Sequence, residues 1–178
     1  KRQPRTKLSG NERMVRTSFD CVCFIFARGG SKGIKEKNLQ RIGDATLVEH
    51  SVELALTLPQ VSEVVVSTDD EKIADVARSA GASVPFMRPK ELSADGSPEW
   101  MAWRHAIEWY QSNRSNFDLF LSLPPTSPLR SFEDVDRCFD KLHSNPAADI
   151  IVTVTEAHRH PSFNMVSIDN LSLIHISE

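Results

Sequence analysis

The feature that most restricts the fold is a set of short apolar runs that do not alternate. CVCFIFA (21–27) is apolar throughout, and EVVVST (63–68) and DLFLSL (118–123) come close. A strand with one wet face alternates apolar and polar residues, so an unbroken run of strand length belongs to a sheet covered on both sides. Helical patterns lie between the runs. TLVEHSVELALTL (46–58) places Leu47, Val48, Val52, Leu54, Ala55 and Leu58 near helical spacing, with Thr46 as N-cap and Pro59 just past the end. DDEKIADVARSAG (69–81) is a helix opened by acids and closed by Gly81. SPEWMAWRHAIEWYQ (97–111) starts a helix with Ser97 as N-cap and Pro98 at the first helical position, and SFEDVDRCFDKLHS (131–144) forms another. Short strands are expected at 84–87 and at DIIVTVT (149–155). Strand and helix alternating with short connections specify an α/β fold, a doubly wound, mostly parallel sheet with helices on both faces.

In such a sheet ligands bind outside the carboxyl ends of the strands, and the first strand ends at Ala27. The next residues are RGGSKGIKEKN (28–38), which hold Gly29, Gly30 and Gly33 of the chain's seven glycines. From residue 28 to 41 five cations (Arg28, Lys32, Lys35, Lys37 and Arg41) stand against Glu36 alone. The chain's formal charge is -3, and residues 1–18 carry +5, so this local excess of +4 sits inside an acidic body of -8. An acidic body disfavours general nucleic-acid binding, whereas a glycine-rich cationic loop suits a small anion. Glycine lets backbone N–H groups approach phosphate oxygens, and the cations add charge-assisted hydrogen bonds. The loop reads as a phosphate cradle, with a solvated glycine-rich turn as the alternative. Neither G-x-x-x-x-G-K-[ST] nor G-x-G-x-x-G is present, which disfavours a P-loop NTPase and a dinucleotide-binding loop.

The chain's 178 residues suit one domain. Residues 1–18 are expected to be a basic, disordered leader, 19–170 the domain, incomplete at its C-terminus, and 171–178 a non-native tail, since LSLIHISE resembles a translated library adapter. No run reaches the roughly 18 apolar residues that cross a bilayer, and no apolar signal core is found, so a cytoplasmic location without a membrane partner is expected. Cys21, Cys23 and Cys138 are too few for a disulfide framework; Cys21 and Cys23 read as small buried hydrophobes rather than metal ligands. Trp100, Trp103 and Trp109 read as core or partner-facing residues rather than a base-stacking platform.

ARGGSKGIKEKN, followed by VSTDD (66–70), RPKELSADGSPEW (88–100) and PPTSPLR (124–130), resembles the acylneuraminate cytidylyltransferases, the CMP-sialic acid synthetases. The resemblance runs from about Cys21 to about Asp169, and the order of four separate motifs makes it specific. It implies a Rossmann-like nucleotidyltransferase fold, CTP and a sugar acid as substrates, Mg²⁺ as cofactor and a homodimer in the full-length protein. It further implies that Ala27, Arg28, Gly29, Gly30, Ser31, Lys37 and Asn38 form the triphosphate loop. Arg28 and Lys37 would be the catalytic cations that meet the β- and γ-phosphates. Arg88, Asp95 and Ser97 would complete the nucleotide site, and Thr126, Ser127 and Arg130 would hold the sugar acid. Many relatives carry Gln just before Pro-Thr-Ser-Pro; here Pro124 stands there, so that amide contact is missing. The metal ligands are not identified, with Asp69 as a candidate, because the family's usual D-x-D segment lies beyond this sequence. His158, Arg159 and His160 lie where relatives approach the sugar.

The implied reaction transfers CMP from CTP to a 2-keto-3-deoxy sugar acid, N-acetylneuraminate or a related nonulosonate, and releases pyrophosphate. Activation of the eight-carbon acid Kdo is the alternative within the class. A nucleotide-binding fragment without turnover is the alternative outside it.

Overall fold

The computed structural model describes residues 19–31, 33–154, 166–169 and 172–175. The chain divides into two compact units after Phe132. In the first, β1 (Cys21–Phe26) lies at the centre of a three-stranded parallel sheet, between β4 (Val61–Ser67) and β5 (Leu119–Ser122). Its residues pair from Cys21 with Leu119 on one side and up to Phe26 with Ser67 on the other. A central strand has neighbours on both edges and layers on both faces, which explains why Cys21 to Ile25 are all fully buried. Burial pushes the Cys21 thiol up to about 12, Asp20 adding to it, and raises Cys23 as well, so neither offers a ready thiolate.

Three helices belong to this unit: α1 (Leu47–Thr57), α2 (Glu71–Ser79) and α3 (Glu99–Asn113). On one face, Val22, Phe24 and Val65 form a cluster with Ala106 and Tyr110 of α3. The alternate residues Cys23 and Ile25 are also fully buried, and α1 contacts both β1 and β4. Both faces are therefore covered, as the unbroken apolar runs require. From β1 the chain crosses through α1 to β4 on one side, and β5 later takes the other side. The order β4-β1-β5 thus reverses at β1, the doubly wound switch point.

Between β1 and α1, the 3-10 turn Lys37–Leu39 leads into a small antiparallel hairpin of β2 (Arg41–Ile42) and β3 (Ala45–Thr46), whose turn holds Gly43 at φ 63°. Thr46 then caps α1, and Glu49 completes a capping box.

Three local expectations are corrected. Residues 84–87 form no strand; the segment meets β4 only through isolated parallel bridges, Val65 with Ser83 and Thr68 with Met87. Pro85 has no N–H to give a ladder. Helix α3 begins at Glu99 with Pro98 as its cap residue, and the Ser97 hydroxyl makes no capping bond. Ser97 instead closes the preceding turn, its N–H donating to the Ala94 carbonyl at 3.0 Å.

The second unit contains α4 (Phe132–Ser144) from Glu133 onward, with Val135 and Phe139 buried, and the antiparallel pair β6 (Val166–Asp169) and β7 (Ser172–His175). Of residues 149–155, expected as a strand, the described 149–154 are not one: the β-branched run has no ladder partner among the described residues, and Ile150, Val152 and Val154 are exposed. Residues 1–18, Lys32, Thr155 and 156–165 lie outside the described residues.

Candidate functional site

The loops that leave β1 and β5 and the segment between α2 and α3 converge beyond the carboxyl ends of the strands, around a cavity of about 340 Å³. Of the residues singled out from sequence, the cavity brings together Arg28, Ser31, Lys37, Asn38, Arg88, Asp95, Ser97 and Thr126. Ala27, Gly29, Gly30, Asp69, Ser127 and Arg130 are not among the residues that line it.

The loop from Arg28 to Asn38 is held at both ends. Asn38, almost wholly buried, donates its side-chain amide to the Arg28 carbonyl at 2.9 Å, drawing the end of the loop onto its beginning. The Gly29 N–H donates to Asp69 Oδ1 at 3.0 Å. A Cβ on Gly29 would lie 2.6 Å from Asp70 Oδ2, a distance real side chains do not adopt, so this glycine is demanded by close approach. A Cβ on Gly30 or Gly33 would meet nothing within 4 Å, so close approach demands no glycine at those two positions.

Three cations reach the cavity from different elements. The Arg28 Nη1 is 3.0 Å from Asp95 Oδ1. Lys37 comes from the 3-10 turn. Arg88 is buried; its backbone N–H donates to Thr68 O at 2.7 Å and its Nη2 to Ser67 O at 2.5 Å, which fastens it to the end of β4. Burial lowers its pKa below the ordinary arginine value, while Asp69 and Glu99 act in the opposite direction. Arg88 Nε and Ser97 Oγ are buried in this structure without a protein partner. Both residues line the cavity, and unmet polar groups beside it suit a ligand that supplies acceptors.

Arg130 holds its own loop: Nε donates to Ser127 O at 3.0 Å and Nη2 to Pro124 O. Pro124, noted in the sequence as standing where relatives carry Gln, also lines the cavity, whereas sequence reasoning missed Phe26, Leu92, Glu99 and Pro125. Glu99 stood in the sequence only as a first-turn acid of α3. The apolar residues carried no signal other than their nearness to the motifs. Trp103 packs on Phe26 and Phe120, and Trp109 on Phe86, as core residues, while Trp100 is exposed beneath the Arg104 guanidinium.

No group of three His, Cys, Asp or Glu side chains is arranged for a metal ion among the described residues. Asp69 already accepts from Gly29, and Asp70 caps α2 through the N–H groups of Lys72 and Ile73. Among the described residues these acids are engaged by backbone N–H groups and are not gathered with a third around a common centre.

A family model described as Cytidylyltransferase matches residues 22–170. The chain belongs to that family. A Campylobacter jejuni relative, pseudaminic acid cytidylyltransferase, is 38% identical over 124 residues, covering 70% of this chain and 53% of its own. The post-translational flagellin modification protein B of Campylobacter coli is 32% identical over 155 residues, 85% of this chain and 64% of its own. The chain thus spans between half and two thirds of the length of these two relatives. Among solved structures, CMP:2-keto-3-deoxy-manno-octonic acid synthetase complexed with CTP superposes with a TM-score of 0.59 at 24% identity, over 72% of this chain and 49% of that one. That likeness concerns the fold. The sialic-acid-type membership implied by the motifs agrees with the family match and with the pseudaminic acid relative.

Proposed function

We propose that this cytidylyltransferase transfers CMP from CTP to a nine-carbon 2-keto-3-deoxy sugar acid, releasing pyrophosphate. The observation that carries the reading is the convergence of Arg28, Lys37 and Arg88 on one cavity at the switch point of the sheet, in a chain whose family match spans residues 22–170.

In this reading the anomeric hydroxyl of the sugar acid attacks the α-phosphorus and gives up its proton to solvent, the bond from that phosphorus to the bridging oxygen breaks, and pyrophosphate departs with the bond's electrons. Negative charge grows on the leaving group, so preorganised cations there lower the barrier most. Arg28 and Lys37 take that role. Asp95 holds Arg28 in place until a phosphate oxygen replaces its carboxylate. Arg88 and Ser97, which also line the cavity, flank the nucleotide. Thr126 faces the cavity from the loop after β5, while Ser127 and Arg130 shape that loop on the sugar side. Mg²⁺ belongs to this proposal as part of the metal–nucleotide substrate, as is usual where phosphates supply most of the ligands. A homodimer and a cytoplasmic location complete it; no helix among the described residues is long and apolar enough to cross a membrane.

Titration of the chain with CTP, CMP and ATP in the presence of Mg²⁺, followed by calorimetry, tests the reading. The expected order is CTP tightest, CMP weaker through loss of the β- and γ-phosphates, and ATP weakest. Equal affinity for CTP and ATP, or no binding by any of them, contradicts it.

A further inference from the structure

The phosphate loop closes on a backbone conformation that its residue does not favour. Glu36 has φ 49° and ψ 42°, the left-handed region, and is the sole non-glycine residue with positive φ among those described. Glycine or asparagine adopts this conformation more readily. Glutamate offers what they lack, a carboxylate long enough to reach across to α2, where its Oε1 lies 2.7 Å from Lys72 Nζ. The same residue starts the 3-10 turn, its carbonyl accepting from Leu39 N–H at 2.8 Å, and the next two residues, Lys37 and Asn38, line the cavity. The start of α2 therefore grips the loop twice: Asp69, just ahead of it, takes the Gly29 N–H, and Lys72 takes Glu36.

We propose that Glu36 and Lys72 are positioning residues, whose ion pair holds the left-handed turn that aims Lys37 at the triphosphate. The inference rests on the reading of this loop as the triphosphate site. Both partners are exposed, and exposed pairs contribute little to global stability. The pair acts on the conformation of one turn, and its effect appears in phosphate affinity.

Simple electrostatics makes the opposite forecast for one variant, and that separates the two explanations. Glu36→Gln removes a negative charge beside an anion site, so Coulomb attraction alone would tighten binding. A positioning role weakens it. The probes are inorganic tripolyphosphate and Mg·CTP, titrated into the 178-residue chain by calorimetry, with thermal melting measured on each variant. Glu36→Gln and Lys72→Met are each expected to weaken binding about threefold to tenfold, with unchanged melting midpoints. The exchanged pair, Glu36→Lys with Lys72→Glu, is expected to recover affinity to within about twofold of the parent. In a Lys37→Ala background, Glu36→Gln should cause no further loss, because the pair acts through Lys37. Unchanged or tighter binding by Glu36→Gln, with Lys37→Ala clearly weakened, overturns the positioning role alone. Unchanged affinity in Lys37→Ala overturns the triphosphate reading and the positioning role with it.

Discussion

At the residue scale, the cavity's cations are distinguished by what holds them. Arg28 and Lys37 line the cavity, Arg28 against Asp95, and Arg88 is fastened to the end of β4, whereas Arg130, outside the lining, is held by carbonyls of its own loop. Replacing Arg28 or Lys37 by alanine removes a charge-assisted phosphate contact, an expected loss of about 1.5–3 kcal/mol of triphosphate affinity in calorimetry. Asp95 is expected to act in the reverse direction. Its carboxylate pairs with Arg28 and both side chains are more than a third exposed, so Asp95→Asn should tighten tripolyphosphate binding by up to about 1 kcal/mol. Weaker binding in Asp95→Asn would mean that the carboxylate serves the bound state instead. The loop itself was legible because glycines and lysines are unusual after a buried strand. The Arg28–Asp95 pair was not, since its partners are joined only when the β1 and β4 connections meet, and no local pattern records that.

At the element scale, the terminal signals of α1 were clear and its stability is correspondingly testable. Thr46 Oγ1 accepts from the Glu49 N–H at 3.3 Å, and Glu49 Oε2 accepts from the Thr46 N–H at 2.6 Å. Thr46→Ala should lower stability to urea by about 1 kcal/mol. The Thr46 backbone and side-chain hydrogen bonds hold the Glu49 carboxyl below its ordinary range, partly offset by burial. A lowered folded-state pKa means that this contribution is complete above the ordinary carboxylate value and disappears as the pH falls through the folded one. Urea midpoints measured down the acid range should therefore fall less steeply in Glu49→Gln than in the parent; parallel curves would refute the capping box. The segments 84–87 and 149–154 show the limit of such reading. Apolar, β-branched content marks a wish for burial, but a strand exists only when a neighbour supplies the ladder, and Pro85 or the lack of a partner among the described residues prevents it. The β2–β3 hairpin has a two-residue turn signal in Gly43–Asp44, but its strands, Arg41–Ile42 and Ala45–Thr46, are too short to show a strand pattern in sequence.

For the first unit taken whole, alternation of runs disclosed a doubly wound sheet, while strand order, and with it the meeting of the 28–38, 88–99 and 124–130 segments, depends on long-range packing around β1. Phe24 is the hub of that packing: its ring lies 5.3 Å from Phe120, 5.8 Å from Phe117, 5.9 Å from Tyr110 and 6.3 Å from Phe26. At the start of β4, away from the cavity, Tyr110 of α3 closes the cluster by donating its hydroxyl to Glu63 Oε2 at 2.7 Å. Burial raises the Tyr110 pKa to about 12, and the hydrogen bond and charge of Glu63 reinforce it. Because the folded-state value lies above the ordinary 10.0, the stabilisation is complete below that pH and is lost as the pH rises towards the folded value. Tyr110 is the chain's only tyrosine, so tyrosinate absorbance reports this single group. The folded chain should titrate well above the same chain in denaturant, and Glu63→Gln, by removing the facing charge, should narrow the gap. Coincident titrations of folded and denatured chains would show that α3 is not fastened to β4 through this hydroxyl.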